Sequence, residues 1–323
     1  MRTHVPFVRF IALVLAITFI TSRSYSQSVT TNNGKWEIGL GFGPMFFLGD
    51  LGGTAGVGKP FVNDLDFPLT KLSKNIYGTY YAKEWLGFRL AFNHGTLEGD
   101  DAQAPSKGGA EMDRLERNLS FRTSVLEGYI AAEISPTVFM ERYDGLLHKF
   151  RPYVVGGIGV MKFNPKAQLD GKWIALKPLR LEGEGMAEYP DSKPYSLVQK
   201  EIPLGLGFKY YIKENFYVGL EVLHRQMFTD KVDAVSADYY VDYHVFDTYL
   251  SPTNAANAKR LYYRGIYQGP VPGSVTRPGD ILTYQRGDPT ENDAYFSTIL
   301  RFGWRLGGEN YKQLRQLRCP VFY

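Results

Sequence analysis

Five histidines and a single cysteine are the side chains on which nucleophilic, acid–base or metal chemistry in this chain would have to rest. Cys319 lies four residues before the last residue, and the histidines are scattered along the chain. No G-x-S-x-G motif marks a nucleophilic serine. One cysteine and dispersed histidines do not supply the ligands of a four-coordinate metal site. The sequence therefore predicts a protein that is not an enzyme, with no cofactor and no metal site.

Two short charged motifs suggest binding, and both have a plainer interpretation. Residues 229–233 read Thr-Asp-Lys-Val-Asp, which resembles part of a calcium loop with incomplete ligand spacing, so we expect a loop rim there. The tripeptide Arg286-Gly287-Asp288 matches an adhesion motif, but Pro289 follows it and favours an ordinary turn.

The elements that position the charged residues are strands, because apolar residues recur with a period of two. In residues 202–212 the even positions are apolar, from Ile202 to Ile212, and the odd positions between them are small or polar with Tyr211 at the end. Seven further segments look like strands, some with cleaner alternation than others. They are residues 36–43, 76–82, 86–93, 121–133, 153–163, 216–222 and 296–304.

The connections between these segments alternate in length, as in outer-membrane barrels with short periplasmic turns and long extracellular loops. The short or medium gaps are residues 83–85, 134–149 and 213–215, and the long ones are residues 49–74, 96–119, 164–201 and 230–293. A soluble β-sandwich also has alternating strands, but it has no reason to sort its loops in this way. Trp36, Trp85 and Trp304 all fall at predicted periplasmic strand ends, where an aromatic girdle would lie. The sequence therefore predicts an all-β fold, an eight-stranded antiparallel transmembrane β-barrel.

The parity of the strands also predicts which charges point inward. An eight-stranded barrel has an interior that side chains can fill, so we expect a paired polar network and not a wide pore. A channel constriction is the alternative interpretation of the same residues. The predicted inward charges are Glu37, Arg89, Glu221, Arg225 and Arg301.

The two ends of the chain predict export and a periplasmic tail. Arg2 and Arg9, the apolar stretch 10–20 and the serines before Gln27 have the layout of a signal peptide. We therefore expect a signal peptide over residues 1–26, a barrel over 27–304 and a periplasmic tail over 305–323. Three of the arginines behind the net charge of +4 fall in the signal peptide, so the rest is near neutral, which argues against nucleic-acid binding.

Several segments resemble the PorG-like outer-membrane proteins of Bacteroidetes, over nearly the whole of residues 27–323. Residues 228–236 depart from the usual form at Lys231 and Ala234. The segments that carry the resemblance are Glu37-Ile38-Gly39, residues 47–53, Leu220-Glu221-Val222, residues 228–236, Arg286-Gly287-Asp288, residues 293–296 and Arg318-Cys319-Pro320.

The resemblance implies a component of the type IX secretion system, which exports proteins across the outer membrane and supports gliding motility. It implies an anchoring role toward a periplasmic ring of a lipoprotein and its partner. The residues expected to bind these partners are Arg315, Arg318 and Cys319 in the tail, together with residues 136–148. Cys319, a lone thiol, is a candidate for an intermolecular disulfide; the alternative is an unpaired cysteine against the barrel base. The alternative function is a small porin-like barrel, or one whose outer loops bind a ligand or a surface.

Overall fold

The computed structural model describes residues 33–51, 70–103, 117–141, 145–238, 240–265, 286–290 and 292–308. Within these ranges the chain forms ten strands and two short α-helices. The strands are β1 (Asn33–Leu48), β2 (Lys71–Lys83), β3 (Leu86–Asp100), β4 (Ser120–Ile134), β5 (Phe150–Lys162), β6 (Lys166–Leu169), β7 (Lys172–Ala175), β8 (Val198–Lys213), β9 (Phe216–Met227) and β10 (Ala294–Gly308), and the helices are α1 (Val245–Tyr249) and α2 (Pro252–Leu261).

Eight of these strands form a closed antiparallel barrel. Its order is β3-β2-β1-β10-β9-β8-β5-β4, and pairing of β3 with β4 completes the ring. The first strand pairs with the last, from Leu48 opposite Ala294 to Trp36 opposite Leu306. Each of the eight segments predicted as a strand falls on one of these strands, so the predicted barrel is confirmed.

The wall of the barrel has an apolar outside and a polar, aromatic inside. Outward side chains such as Leu206 and Ile158 are 65% and 64% exposed. Inward tyrosines such as Tyr77 and Tyr217 are almost completely buried. The period-two pattern of the sequence thus matches the two faces of the wall.

Inward glycines make room for the inward tyrosines. A Cβ on Gly39 would collide with the hydroxyl end of Tyr77, its partner on β2, and a Cβ on Gly303 would collide with the ring of Tyr217, its partner on β9. The lumen is therefore packed with rings that need a bare backbone opposite them.

At one end of the barrel the long connections fold into a structure that we call the cap. It comprises the described residues of the connections β1–β2, β3–β4, β5–β8 and β9–β10, including the β6–β7 hairpin, α1 and α2. Apolar cap residues such as Leu179, Phe246 and Leu261 share a core with Phe121 and Met161 of the upper barrel. Among the described residues, neither helix has the length and apolarity needed to cross a bilayer.

The opposite end, which we call the short-turn end, has two tight turns and one longer connection. The β4–β5 connection contains a 3₁₀ turn, Pro136–Met140. Its Val138 points inward and is buried, whereas Phe139 and Met140 are 68% and 87% exposed. Phe139 lies against Trp85 of the β2–β3 turn, with ring centroids 5.7 Å apart.

Candidate functional site

The lumen near the short-turn end is held by a carboxylate pair around one lysine. Lys209 Nζ lies 3.0 Å from Glu37 Oε1 and also forms an ion pair with Glu133. The Tyr81 hydroxyl lies within hydrogen-bond distance of both carboxylates, at 2.9 Å and 3.0 Å, and can donate to one of them, and Tyr217 donates to Glu37 Oε1 at 2.6 Å. All five side chains are buried, and Glu133 also pairs with Arg89, so Lys209 and Arg89 together balance the two carboxylates inside the barrel.

The middle of the lumen is crossed by two arginines that share one carboxylate. Arg89 Nη1 and Arg301 Nη1 lie 2.6 Å and 2.7 Å from Glu221 Oε2. Tyr153 donates to the same oxygen at 2.7 Å. The guanidinium of Arg301 lies 3.6 Å from the ring centre of Tyr77, a cation–π contact. These side chains come from β2, β3, β5, β9 and β10, so they join opposite walls of the barrel.

The upper lumen is organised around Arg225. Its Nε lies 3.2 Å from Glu127 Oε1. The Tyr295 hydroxyl lies within hydrogen-bond distance of Glu127 Oε2, at 3.1 Å, and of Glu201 Oε2, at 2.9 Å, and can donate to one of them. The five residues predicted to face inward, Glu37, Arg89, Glu221, Arg225 and Arg301, thus all lie in the lumen.

The carboxylates that complete this network were not predicted as partners. Glu127, Glu133 and Glu201 lie at inward positions of β4 and β8, and each is about 1% exposed. In β4, Glu127 and Glu133 share their parity with Tyr129 and Ala131. The alternation of inward and outward positions could have predicted these two carboxylates. The alternation is weak in β4, because its outward positions include the small residues Gly128 and Ala132.

A last set of ion pairs lies at the short-turn end. Arg151 and Arg305 both contact Glu84, at 3.0 Å and 3.1 Å, and Arg151 Nε also donates to Glu141 Oε1 at 2.9 Å. Arg305 belongs to β10, which continues to Gly308, past the predicted strand end at Trp304. The predicted partner-binding residues Arg315, Arg318 and Cys319 lie outside the described residues, as does the predicted signal peptide.

The cap contains a group of carboxylic acids above the barrel, of which Asp233 and Asp293 are buried and Asp50 and Asp230 are half-buried. Asp233 accepts hydrogen bonds from the backbone N–H groups of Leu51 and Val235, at 3.2 Å and 2.8 Å. Asp293 accepts one from Val232 N at 2.8 Å. Burial raises the pKa of Asp230 to about 9 and that of Asp50 to about 6. Burial also raises the pKa values of Asp233 and Asp293 well above the usual range.

These acids correct the expectation of a loop rim at residues 229–233. Val232 and Asp233 are fully buried, because the segment packs into the core of the cap. No group of three or more acids, histidines or cysteines in the described ranges is arranged to hold a metal ion. The segment is therefore a structural part of the cap.

Arg286, the first residue of the adhesion-like tripeptide, is buried as well. Its Nε lies 3.1 Å from Glu182 Oε1, and its Nη2 donates to the carbonyl of Ala234 at 3.0 Å. Burial opposes ionisation of Glu182, but Arg286 and Lys231 outweigh it and lower the pKa of this carboxyl. The arginine thus joins two connections of the cap and does not face a partner.

Comparison with known proteins adds a family and a set of barrels. A family model described as "Domain of unknown function (DUF6089)" matches residues 13–247. No curated protein matches the sequence. Among solved structures, the chain is similar to Ail of Yersinia pestis in complex with the heparin analogue sucrose octasulfate (10% identity, 84% of this chain and 97% of that chain, TM-score 0.36). It is also similar to the N-terminal β-barrel domain of Pseudomonas aeruginosa OprF (10% identity, 84% of this chain and 98% of that chain, TM-score 0.31). A third similar structure is the outer membrane protein OprG of the same organism (11% identity, 86% of this chain and 98% of that chain, TM-score 0.35).

Proposed function

The chain belongs to the family described as a domain of unknown function, DUF6089, and from that premise we propose that it is an outer-membrane β-barrel that works as an anchor and not as a pore. The family description fixes no activity, so the proposal rests on the structure. The observation that carries it is the filled lumen, in which Glu221 joins Arg89 and Arg301 across the barrel. Because paired side chains occupy the interior of the barrel, we infer that its function lies on its surfaces.

The outer wall supports location in a membrane. Apolar side chains that are about half exposed or more cover it, and burying each one in lipid removes roughly 1.5–3 kcal/mol of unfavourable hydration. The strands have 12 to 16 residues, enough to cross a bilayer when tilted. Trp36, Tyr80 and Trp304 lie on the wall at the short-turn end, where an interfacial girdle would be. Members of the apolar belt include Ile38, Leu40, Phe88, Leu90, Leu126, Ile130, Ile158, Leu204 and Leu206.

With this orientation the short-turn end faces the periplasm, and the partner would bind there. The resemblance to PorG-like proteins makes the periplasmic ring of a type IX secretion system, including its lipoprotein, the proposed partner. Phe139 and Met140 support a docking surface at this end, because they are exposed apolar side chains on the β4–β5 connection. Arg315, Arg318 and Cys319 would extend that surface through the tail.

A photoreactive amino acid in place of Met140 would test the docking surface in cells. We expect it to cross-link the chain to a periplasmic protein of the secretion system. The matched control is the same photoreactive residue in place of Ile158, an exposed apolar residue on the wall, which should cross-link to lipid only. Capture of lipid alone from position 140 would contradict the docking surface.

The variant Cys319→Ser tests the tail separately. If Cys319 forms an intermolecular disulfide, a high-mass band of the membrane fraction on a non-reducing gel disappears in this variant. An unchanged band pattern, together with intact secretion, would remove the tail from the proposal.

Binding of a ligand by the outer loops is a second candidate function. The folded cap favours it, because ordered loops with their own core can shape a binding site.

A further inference from the structure

The cap contains a cavity with a preformed wall and with positively charged side chains that have no ion-pair partner among the described residues. The cavity has a volume of about 380 Å³ and is lined by Lys177, Pro178, Arg180, Glu184, Pro194 and Tyr195. This volume lies at the lower end of the range for small-molecule sites, which suits a ligand with a single ring. The lining residues belong to the connection between β7 and β8.

The segment that forms the cavity is fixed by its own hydrogen bonds. Arg180 has φ +48°, a left-handed conformation that is unusual for a residue other than glycine, and its N–H donates to the carbonyl of Lys177 at 3.4 Å. Gly185 N donates to Ser192 O at 2.8 Å, which brings Pro194 against Gly185. Leu179 and Leu181 anchor the same segment in the core of the cap. The walls are therefore arranged before any ligand arrives, which lowers the entropic cost of binding.

The cavity carries positive charge that the protein does not neutralise. Among the described residues, Lys177 and Arg180 have no ion-pair partner, and neither lies within 4.0 Å of the Glu184 carboxylate. Glu184 is 6% exposed. Burial and the nearby Glu182 raise the pKa of Glu184, which favours its neutral form. Two cations and one buried acid leave an excess of positive charge on a preformed wall, which attracts an anion.

Tyr195 adds an aromatic ring to the same wall. Its ring stacks on Phe163, with centroids 6.3 Å apart and an interplanar angle of 8°, and Lys177 Nζ lies 5.7 Å from the ring centre. Its hydroxyl oxygen is buried away from solvent. A ligand in the cavity therefore meets the ring of Tyr195 and not its hydroxyl. Pro178 and Pro194 supply apolar surface that a bare, hydrated anion would not use.

We propose that this cavity binds a single sugar ring that carries a phosphate or sulfate group, with Lys177 and Arg180 contacting the oxyanion and the ring of Tyr195 contacting the sugar ring. Arg180 supplies paired donors that match a tetrahedral oxyanion, and Lys177 supplies a point charge. The prolines face the C–H groups of the ring. Such a sugar could come from a surface glycan or from a free metabolite, and the chemistry of the contact is the same for both.

Isothermal titration of the full chain in detergent would test the site with four probes. They are glucose 6-phosphate, glucose 6-sulfate, unmodified glucose and inorganic phosphate. We expect the two charged sugars to bind, with affinity that falls as salt is added. We expect at least roughly tenfold weaker binding for glucose, because one lost charge-assisted contact of about 1.4 kcal/mol corresponds to a factor of ten. Inorganic phosphate that binds as tightly as the phosphorylated sugar would overturn the sugar part of the proposal.

Two substitutions and one control locate the binding. Lys177→Gln and Arg180→Asn should each weaken binding by roughly tenfold or more, and asparagine tolerates the left-handed backbone at position 180. Lys259→Gln removes the same charge from α2 of the cap, where Lys259 pairs with Asp247, and should leave binding unchanged. A thermal unfolding curve checks that each variant keeps its cap.

The site would be overturned if no probe bound, or if both cavity variants bound the charged sugars as tightly as the parent chain does. A surface glycan as the source predicts that the purified full chain also retains phosphorylated lipopolysaccharide and loses it with Arg180→Asn. If the chain retains the free sugar phosphate but not the lipopolysaccharide, the ligand is a free metabolite. The proposal is independent of the anchoring function, since titration of the purified chain does not involve the periplasmic end.

Discussion

At the scale of single residues, Glu221 holds together the two arginines in the middle of the lumen. Arg89 and Arg301 both donate to its Oε2, and all three side chains are 2% exposed or less. A buried ion pair is weak evidence for net stability, but removal of Glu221 leaves Arg301 without a carboxylate partner among the described residues, whereas Arg89 keeps Glu133. Loss of Glu221 is therefore expected to lower the free energy of unfolding strongly, even if the network as a whole contributes little to it.

Glu221→Gln should destabilise the barrel by about 3–5 kcal/mol, because it leaves the buried Arg301 without a carboxylate partner among the described residues and removes one of the two carboxylates that pair with Arg89. Urea unfolding of the chain in lipid vesicles measures the change. Asp170→Asn is the matched control: it removes a carboxylate that pairs with Arg260 at the surface, where both side chains are more than half exposed. We expect no measurable change in the control. Equal unfolding midpoints for Glu221→Gln and the parent chain would contradict the role of the network.

Because Asp230 is a half-buried acid with a raised pKa, we predict that the cap becomes less stable as pH rises. The pKa of Asp230 is about 9 in the folded chain against 3.8 in its ordinary state, so the folded state holds the proton more tightly. Tighter proton binding by Asp230 stabilises the folded state. This contribution is complete below pH 3.8 and is lost progressively as pH rises toward 9. Asp233 and Asp50 add negative charge in the same direction.

Asp230→Asn should flatten this dependence, because the amide resembles the protonated acid at every pH. Thermal unfolding at pH 5, 7 and 9, followed by near-ultraviolet circular dichroism of the cap tyrosines, gives the difference from the parent chain. We expect the variant to gain stability relative to the parent as pH rises. Asp288→Asn serves as control, since this exposed acid has a lowered pKa and keeps one charge state over that range. A constant difference between Asp230→Asn and the parent would contradict the prediction.

At the scale of elements, the barrel strands could be predicted and the cap could not. Alternation over ten or more residues identified strands such as β8, because a wall between two environments imposes the period. The cap elements are four to ten residues long and carry too few turns or alternations to give a periodic signal. Local signals did exist. Asp170-Gly171 joins β6 to β7 with positive φ at both residues, and Ser251-Pro252 starts α2, with the Ser251 side chain as N-cap.

The same limit applies to the lumen. Inward charges on cleanly alternating strands could be predicted, whereas Glu133 and Glu127 lie on a strand whose outward face is interrupted by small residues. The pairing of Glu37 with Lys209 joins residues 172 positions apart, and only the closed ring brings them together. Parity predicts the direction of a side chain but not its partner.

Packing between strands gives a test of the inward glycines. Gly39→Ala should destabilise the barrel by about 1–3 kcal/mol, because the new Cβ collides with Tyr77. Gly78→Ala is the control on the neighbouring strand, where the nearest atom to a new Cβ is 3.9 Å away. The shift from the folded to the unfolded band on a gel, as the sample is heated, compares the two variants. A Gly39→Ala barrel as heat-resistant as the Gly78→Ala barrel would mean that the lumen is looser than described.

At the scale of the whole molecule, the filled lumen and the cap lie one above the other along the same axis. Side chains such as Arg225 and Glu127 lie below the cap, and its core continues into the upper barrel through Phe121 and Met161. A solute would have to displace ion pairs at several levels. Tight packing of charged groups makes such displacement costly.

Liposomes that contain the purified chain should therefore not swell in isotonic solutions of small sugars. A general porin in parallel liposomes supplies the positive control, and light scattering measures the rate. Swelling at a rate comparable to that of the porin would contradict the closed lumen and favour the porin-like alternative.

The pairing of β1 with β10 also sets the order in which this molecule can be completed. Gly39 lies opposite Gly303, so the contact joins positions 264 residues apart, and closing so long a loop is slow. The neighbouring pairs of barrel strands that do not include β10 can all form while β10 is still missing. A chain that stops before Ala294 therefore keeps two open sheet edges, on β1 and β9, each ready to add a strand from elsewhere. Synthesis of the last strand is the step that turns an aggregation-prone sheet into a finished cylinder.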